Sequence, residues 1–129
     1  MIPTKIVLND YTISDNSVSV SYESSIFIFC ISHKVMEFNI KTRILKDRKD
    51  APRNNNMSSF GILKQFIYAI GGEAPGYNFK TSTNYCEKYD IKSDKWILLP
   101  NLLYFRAFSA VFSFAPQYIF YWRDRLLWL

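Results

Sequence analysis

Histidine is nearly missing from this sequence: His33 is the one example in 129 residues, and it sits in the turn-like segment CISHK. A chain so built cannot assemble His-based catalytic triads or multi-histidine metal sites from its own residues, and His33 is expected in a turn or at the surface. Cysteine is equally sparse. Cys30 and Cys86 lie 56 positions apart with no CxxC spacing and no ligand partners nearby, so both are expected as buried, reduced thiols in strands. There is no GxSxG elbow, and the glycine pair Gly71 and Gly72 lacks the Lys that would follow it in a phosphate-binding loop. Carboxylates such as Glu87 and Asp90 are expected to precede or face a turn, and no spacing pairs them for acid and base work. With four glycines in all, each needs a reason. The sequence therefore implies a non-enzymatic protein, with no cofactor and no metal.

Aromatic side chains are abundant instead: 11 Phe, 9 Tyr and 3 Trp, 18% of the chain, within 49% hydrophobic residues. That content is ample for a packed core, and its distribution in short Ile- and Val-containing runs favours half-buried strands over long amphipathic helices. The net charge of +5 would attract polyanions if it were gathered on one face. Its densest part, KTRILKDRKDAPR at 41–53, is broken by Asp47 and Asp50 and holds no aromatic residue for base stacking. It is expected to be a solvated connector rather than a nucleic-acid surface. The opening MIPTKIVLNDYTISD lacks the apolar core of a signal peptide, which makes a cytoplasmic protein the default expectation.

Residues 96–122, WILLPNLLYFRAFSAVFSFAPQYIFYW, are long and apolar enough to cross a bilayer. Arg106 would then lie near mid-membrane at a cost of about 3 kcal/mol, and Pro100, Asn101, Pro116 and Gln117 interrupt the run. Two buried strands joined by a turn suit the segment better, with a small membrane protein as the alternative.

The chain also repeats itself. FNIKT at 38–42 returns as YDIKS at 89–93, and SFGILKQFIYAI at 59–70 returns as VFSFAPQYIFYW at 111–122, offsets of 51 and 52 residues. An arginine precedes both 59–70 and 111–122, at Arg53 and Arg106, and VSVSYESSIFIF at 18–29 has the same strand, turn, strand shape. A period near 50 residues falls in the range of propeller-type repeats. The best-preserved unit resolves into four strands at about 58–63, 66–70, 84–91 and 95–98. Lys64 and Gln65 make a hairpin turn, and Lys92, Ser93 and Asp94 a second one. Gly71 and Gly72 end the second strand, where positive φ or tight packing would exclude a side chain. The loop at 73–84, with Pro75 and Gly76, is then free to vary.

In this unit an apolar run at 66–70 is closed by Gly71 and Gly72, and Tyr89 follows after a variable loop, Trp96 seven residues later and then Arg106. That order resembles the kelch repeat. The resemblance is specific over 53–106 and weaker in the flanks, where Cys30 and Ile31 replace the glycines and Arg43 the tryptophan. It implies an all-β fold, a partial kelch-type β-propeller of about two and a half four-stranded antiparallel blades. The divisions would be 1–17, an N-terminal segment and candidate edge strand; 18–50, a degenerate first blade; 51–105, the well-matched blade; and 106–129, a partial third blade.

The structural kelch residues would be Gly71, Gly72, Tyr89, Trp96, Arg53 and Arg106, with Tyr and Trp packing inside the blade. Propellers close with roughly four to eight blades, so this length would form part of a ring, a truncated product or an open array completed by a partner. The apolar end YWRDRLLWL is expected to have no third strand covering it and to favour self-association. What the resemblance implies for function is a protein-protein interaction module, and kelch proteins also serve as ubiquitin-ligase substrate receptors when other domains are attached. A fragment of a propeller enzyme is the other alternative; copper enzymes on this fold need His and Tyr ligands, and a lone His33 does not supply them. The candidate partner-binding surface is the variable loop carrying Tyr77 and Phe79.

Overall fold

The computed structural model describes residues 17–30, 33–53, 58–74, 81–103, 110–114, 118–122 and 126–128. Every regular element among them is a β-strand. The first sheet is a four-stranded antiparallel meander of β1 (Val18–Tyr22), β2 (Ser25–Phe29), β3 (Val35–Asn39) and β4 (Ile44–Arg48). The second has β5 (Ser59–Leu63), β6 (Phe66–Ile70), β9 (Cys86–Asp90) and β10 (Lys95–Leu99) in the same consecutive pairing. Between β6 and β9 lies a two-residue hairpin of β7 (Glu73–Ala74) and β8 (Thr81–Ser82). The third sheet pairs β11 (Ala110–Phe114), β12 (Tyr118–Trp122) and β13 (Leu126–Trp128). β5 lies beside β1 on one side and β11 on the other, so the first strand of each sheet is the innermost and β4 and β10 are outermost.

Within 96–122 the described residues contribute most of β10 and all of β11 and β12, three strands where two were expected, and no helix among the described residues is long and apolar enough to cross a membrane. The C-terminal expectation needs correction. β13 does pair with β12, setting Trp122 opposite Leu126 and Phe120 opposite Trp128, because the apolar end of the chain itself supplies the short third strand. The segment at 1–16, expected to hold an edge strand, lies outside the described residues.

Corresponding strands fix how the first two sheets relate. The inner hairpins begin at 18 and 25 against 59 and 66, 41 residues apart, whereas the outer ones begin at 35 and 44 against 86 and 95, 51 apart. The difference of ten residues is the extra length of the β6–β9 connection, 71–85, over the β2–β3 connection, 30–34. Turn chemistry repeats at both ends. Glu23 and Lys64 hold equivalent positions with φ of 51° and 54°, as do Arg43 and Asp94 with 58° and 53°. Asn39 Oδ1 accepts from the amides of Lys41 and Thr42, and its counterpart Asp90 Oδ1 from that of Lys92, so a short side chain caps each outer turn.

This register moves the residue expected at the tryptophan position of the first sheet. Leu45 pairs with Phe38 as Trp96 pairs with Tyr89, while Arg43 occupies the turn. The basic stretch at 41–53 is likewise more than a connector, since β4 is built from it. Alternation explains why: Lys46 and Arg48 share a face with Glu37, and both pair with its carboxylate.

The main core lies between the first two sheets. Phe27, Phe29 and Val35 from one face meet Ile67, Tyr89 and Ile91 from the other, with Val20, Phe60 and Trp96 at the margin. Strand alternation selects these residues, as β2 buries Ser25, Phe27 and Phe29 and leaves Ile26 and Ile28 less covered. The opposite face of the second sheet gathers Ile70, Cys86 and Leu102. Cys30 and Cys86 are both free and buried; Cys86 lies in β9, and Cys30 follows β2 by one residue rather than lying within a strand.

Candidate recognition loop and the seam beneath it

The β6–β9 connection leaves the sheet through two glycines for a geometric reason. Gly71 has a φ of 65° and Gly72 of 114°, both in the region a side chain disfavours, and both residues are buried. Gly71 N–H donates to Tyr85 O at 2.7 Å, and Thr83 N–H to Gly72 O at 2.8 Å. Ser58 Oγ donates to Gly71 O at 2.8 Å, so the preceding linker also grips the elbow. The connection expected to vary freely from 73 therefore has an ordered base through β7, β8 and Thr83. Tyr77, Phe79, Pro75 and Gly76 lie outside the described residues. Cys30 takes the place of Gly71 in the first sheet and keeps its bond, donating N–H to Lys34 O at 2.9 Å. The shorter loop turns instead at His33, with φ of 69°. Ile31 lies outside the described residues.

Tyr89 and Trp96, expected to pack within one blade, lie side by side on β9 and β10 with ring centroids 5.2 Å apart, and they also form the seam to the first sheet. Tyr89 is 6.1 Å from Phe27, and Trp96 meets Phe29 edge-on at 6.1 Å. The Tyr89 hydroxyl donates to Asp94 Oδ1 at 2.6 Å and accepts from Arg48 Nε at 2.7 Å. Arg48 also donates to Ile91 O and reaches Glu37 Oε2 at 3.4 Å. Ser25 Oγ donates to Glu37 Oε1 at 2.7 Å, closing the chain of contacts. Lys49 completes the clasp: its amide donates to Asp94 Oδ1 at 2.8 Å while its carbonyl accepts from Trp96 Nε1 at 2.9 Å.

Electrostatics follow from this enclosure. Burial pushes the Tyr89 phenol well above its usual range, and the anionic acceptor Asp94 adds to the effect. For Asp94, burial opposes charge, but hydrogen bonds from Tyr89 and the Lys49 amide, with the charge of Arg48, outweigh it and hold the carboxyl low. Glu37 is held low in the same sense, burial being overcome by Ser25, Lys46 and Arg48. Burial raises the Cys86 thiol to about 11.

Arg53 approaches Glu87 with Nε 3.5 Å from Oε1 and stacks over Tyr85 at 4.1 Å. Glu87 corrects the expectation of a carboxylate near a turn, since it sits mid-strand on β9 and is fully buried. Arg106 lies outside the described residues. His33 is in a turn, as anticipated; its ring Nδ1–H donates to Ala51 O at 3.0 Å, and its carbonyl accepts from Ala51 N–H at 2.8 Å. Among the described residues no group of three His, Cys, Asp or Glu side chains is placed to hold a metal ion. Sequence reading misses Arg48, Asp94 and Phe27. The signal for Arg48 is its spacing of two from Lys46 on a face shared with Glu37, visible once β4 is recognised as a strand.

The kelch motif matches residues 65–103, from the β5–β6 turn through β10 and the residues after it. No curated protein matches the chain. Among solved structures, the one titled "Structure of YjhT" superposes on 82% of the chain with a TM-score of 0.71 and 13% identity. At that identity the likeness is one of fold, and the match spans 33% of the YjhT chain, about a third of its length. The elbow, the Tyr89–Trp96 pair, the motif match and this superposition agree: the chain carries a kelch motif at 65–103 and is folded as part of a β-propeller.

Proposed function

We propose that this protein is a non-enzymatic protein-interaction module whose recognition surface is the long connection of the second blade. The observation that carries the reading is the contrast between a fixed base and a long excursion. Residues 71–85 exceed their first-blade counterpart by ten, yet start from a buried elbow hydrogen-bonded at Gly71, Gly72 and Thr83. A rigid frame that presents a variable segment lowers the ordering cost of binding, and aromatic side chains such as Tyr77 and Phe79 are effective anchors. The reading without catalysis is supported by the engagement of Asp94, Glu37 and His33 in structural contacts. A cytosolic setting fits the two free thiols, and an adaptor role such as a ubiquitin-ligase substrate receptor is one form this module could take.

The test is recovery of cellular partners by the tagged chain and by its Tyr77→Ala/Phe79→Ala variant. Loss of specific partners with an unchanged thermal melt supports the assignment. Equal recovery by the two proteins overturns it.

A further inference from the structure

The two outermost strands differ in how their free edges are protected. β4 reads ILKDR and carries three consecutive charges, whereas β10 reads KWILL and has one, Lys95 at its start. Among the described residues β10 pairs with β9 alone, which leaves its other edge open. Ile97 and Leu98 on this strand are 40% and 55% exposed. An apolar edge of five residues with one terminal charge is a template for another strand, and natural sheets usually blunt such edges with charge.

Beside the edge, on the Trp96 and Leu98 face, lies a groove of 340 Å³ lined in part by Lys49, Pro52 and Asp94. The sequence of β10 is suited to pairing with itself. An antiparallel pair centred on Ile97 sets Ile97 against its own copy, Trp96 opposite Leu98 and Lys95 opposite Leu99. No like charges then face each other, since the two lysines fall at opposite ends, and the second copy's Leu98 comes over Trp96 at the groove.

We propose that β10 is a homodimerisation edge, with two copies of the chain joined by antiparallel β10 pairing about a two-fold axis through Ile97. This surface is separate from the second-blade loop and does not depend on its role.

Sedimentation equilibrium of the full chain tests the proposal. The expected result is a concentration-dependent dimer that Ile97→Lys weakens at least roughly 100-fold by placing two ammonium groups face to face. Ile44→Lys, on the already charged β4, leaves the dimer intact. Ile97→Cys under mild oxidation gives a covalent dimer linked at position 97, a readout that stands if Ile97→Lys fails to fold. The proposal is overturned by a chain that stays monomeric at all concentrations, by a dimer indifferent to a folded Ile97→Lys, or by failure of the Ile97→Cys variant to cross-link at that position. Saturable binding of an unrelated extended peptide along β10 of a persistently monomeric chain also overturns it.

Discussion

Arg48 donates through Nε to the Tyr89 hydroxyl at 2.7 Å, across 41 residues and from one blade to the next. Its guanidinium also lies 5.7 Å from the Phe27 ring and 5.8 Å from that of Tyr89. The two residues therefore join the polar and aromatic halves of the seam. Removing Arg48 takes one donor from the Tyr89 hydroxyl, which keeps its bond to Asp94, and at the same time takes the guanidinium donor from the Ile91 carbonyl. Arg48→Ala is expected to cost about 3 kcal/mol and Tyr89→Phe about 1 kcal/mol in urea unfolding. A double-mutant cycle should return a coupling above roughly 0.5 kcal/mol, and additive losses would contradict a shared network.

The two glycines of the elbow should respond unequally to a methyl group. Gly71 at 65° lies near the left-handed basin, while Gly72 at 114° lies well beyond it. Gly71→Ala is expected to cost about 1 kcal/mol and Gly72→Ala about 2 kcal/mol or more, measured as shifts of the unfolding midpoint. The reverse order would mean that packing, not backbone conformation, governs the elbow.

Acid should loosen the seam. Asp94 and Glu37 are held below their ordinary values in the fold, so each contributes stability that is fully present above the unfolded carboxylate range of about 4. That stability is lost as pH falls through the lower folded values. Asp94→Asn is expected to lower the melting temperature at pH 7 and to flatten its decline as the solution is acidified below the unfolded carboxylate range. A mutant with the same acid slope as the parent would show that other groups set the transition.

Cys86, with its thiol raised to about 11, should resist alkylation in the native state. In mildly alkaline buffer its thiolate fraction is roughly 100-fold below that of an unfolded cysteine. Iodoacetamide labelling followed by mass spectrometry should therefore mark Cys86 rapidly in urea and very slowly without it. Equal rates would place the thiol at the surface.

Local signals are legible wherever chemistry repeats within a few residues. The apolar run before Gly71, the Lys64–Gln65 turn and the polar turn before Trp96 each follow from alternation and turn preference, and the four strands of the second blade begin and end close to where these signals place them. The seam is not legible. Arg48 stands in a stretch whose charge resembles a connector, and its partners Tyr89 and Ile91 lie 41 and 43 residues away, separations that no local pattern encodes. At the tryptophan position of the first blade stands Leu45 rather than Arg43, since the outer hairpins are 51 residues apart, the offset that FNIKT and YDIKS already carry. β13 escapes a sequence reading because three residues of apolar sequence carry no period of their own.

The elbow at Gly71 and Gly72 closes through main-chain bonds to Tyr85 and Thr83 together with the hydroxyl of Ser58, and none of these contacts uses a side chain between 73 and 82. Sequence can therefore be exchanged in that interval without disturbing its frame, so the second blade is a natural display scaffold into which a foreign peptide epitope could be grafted.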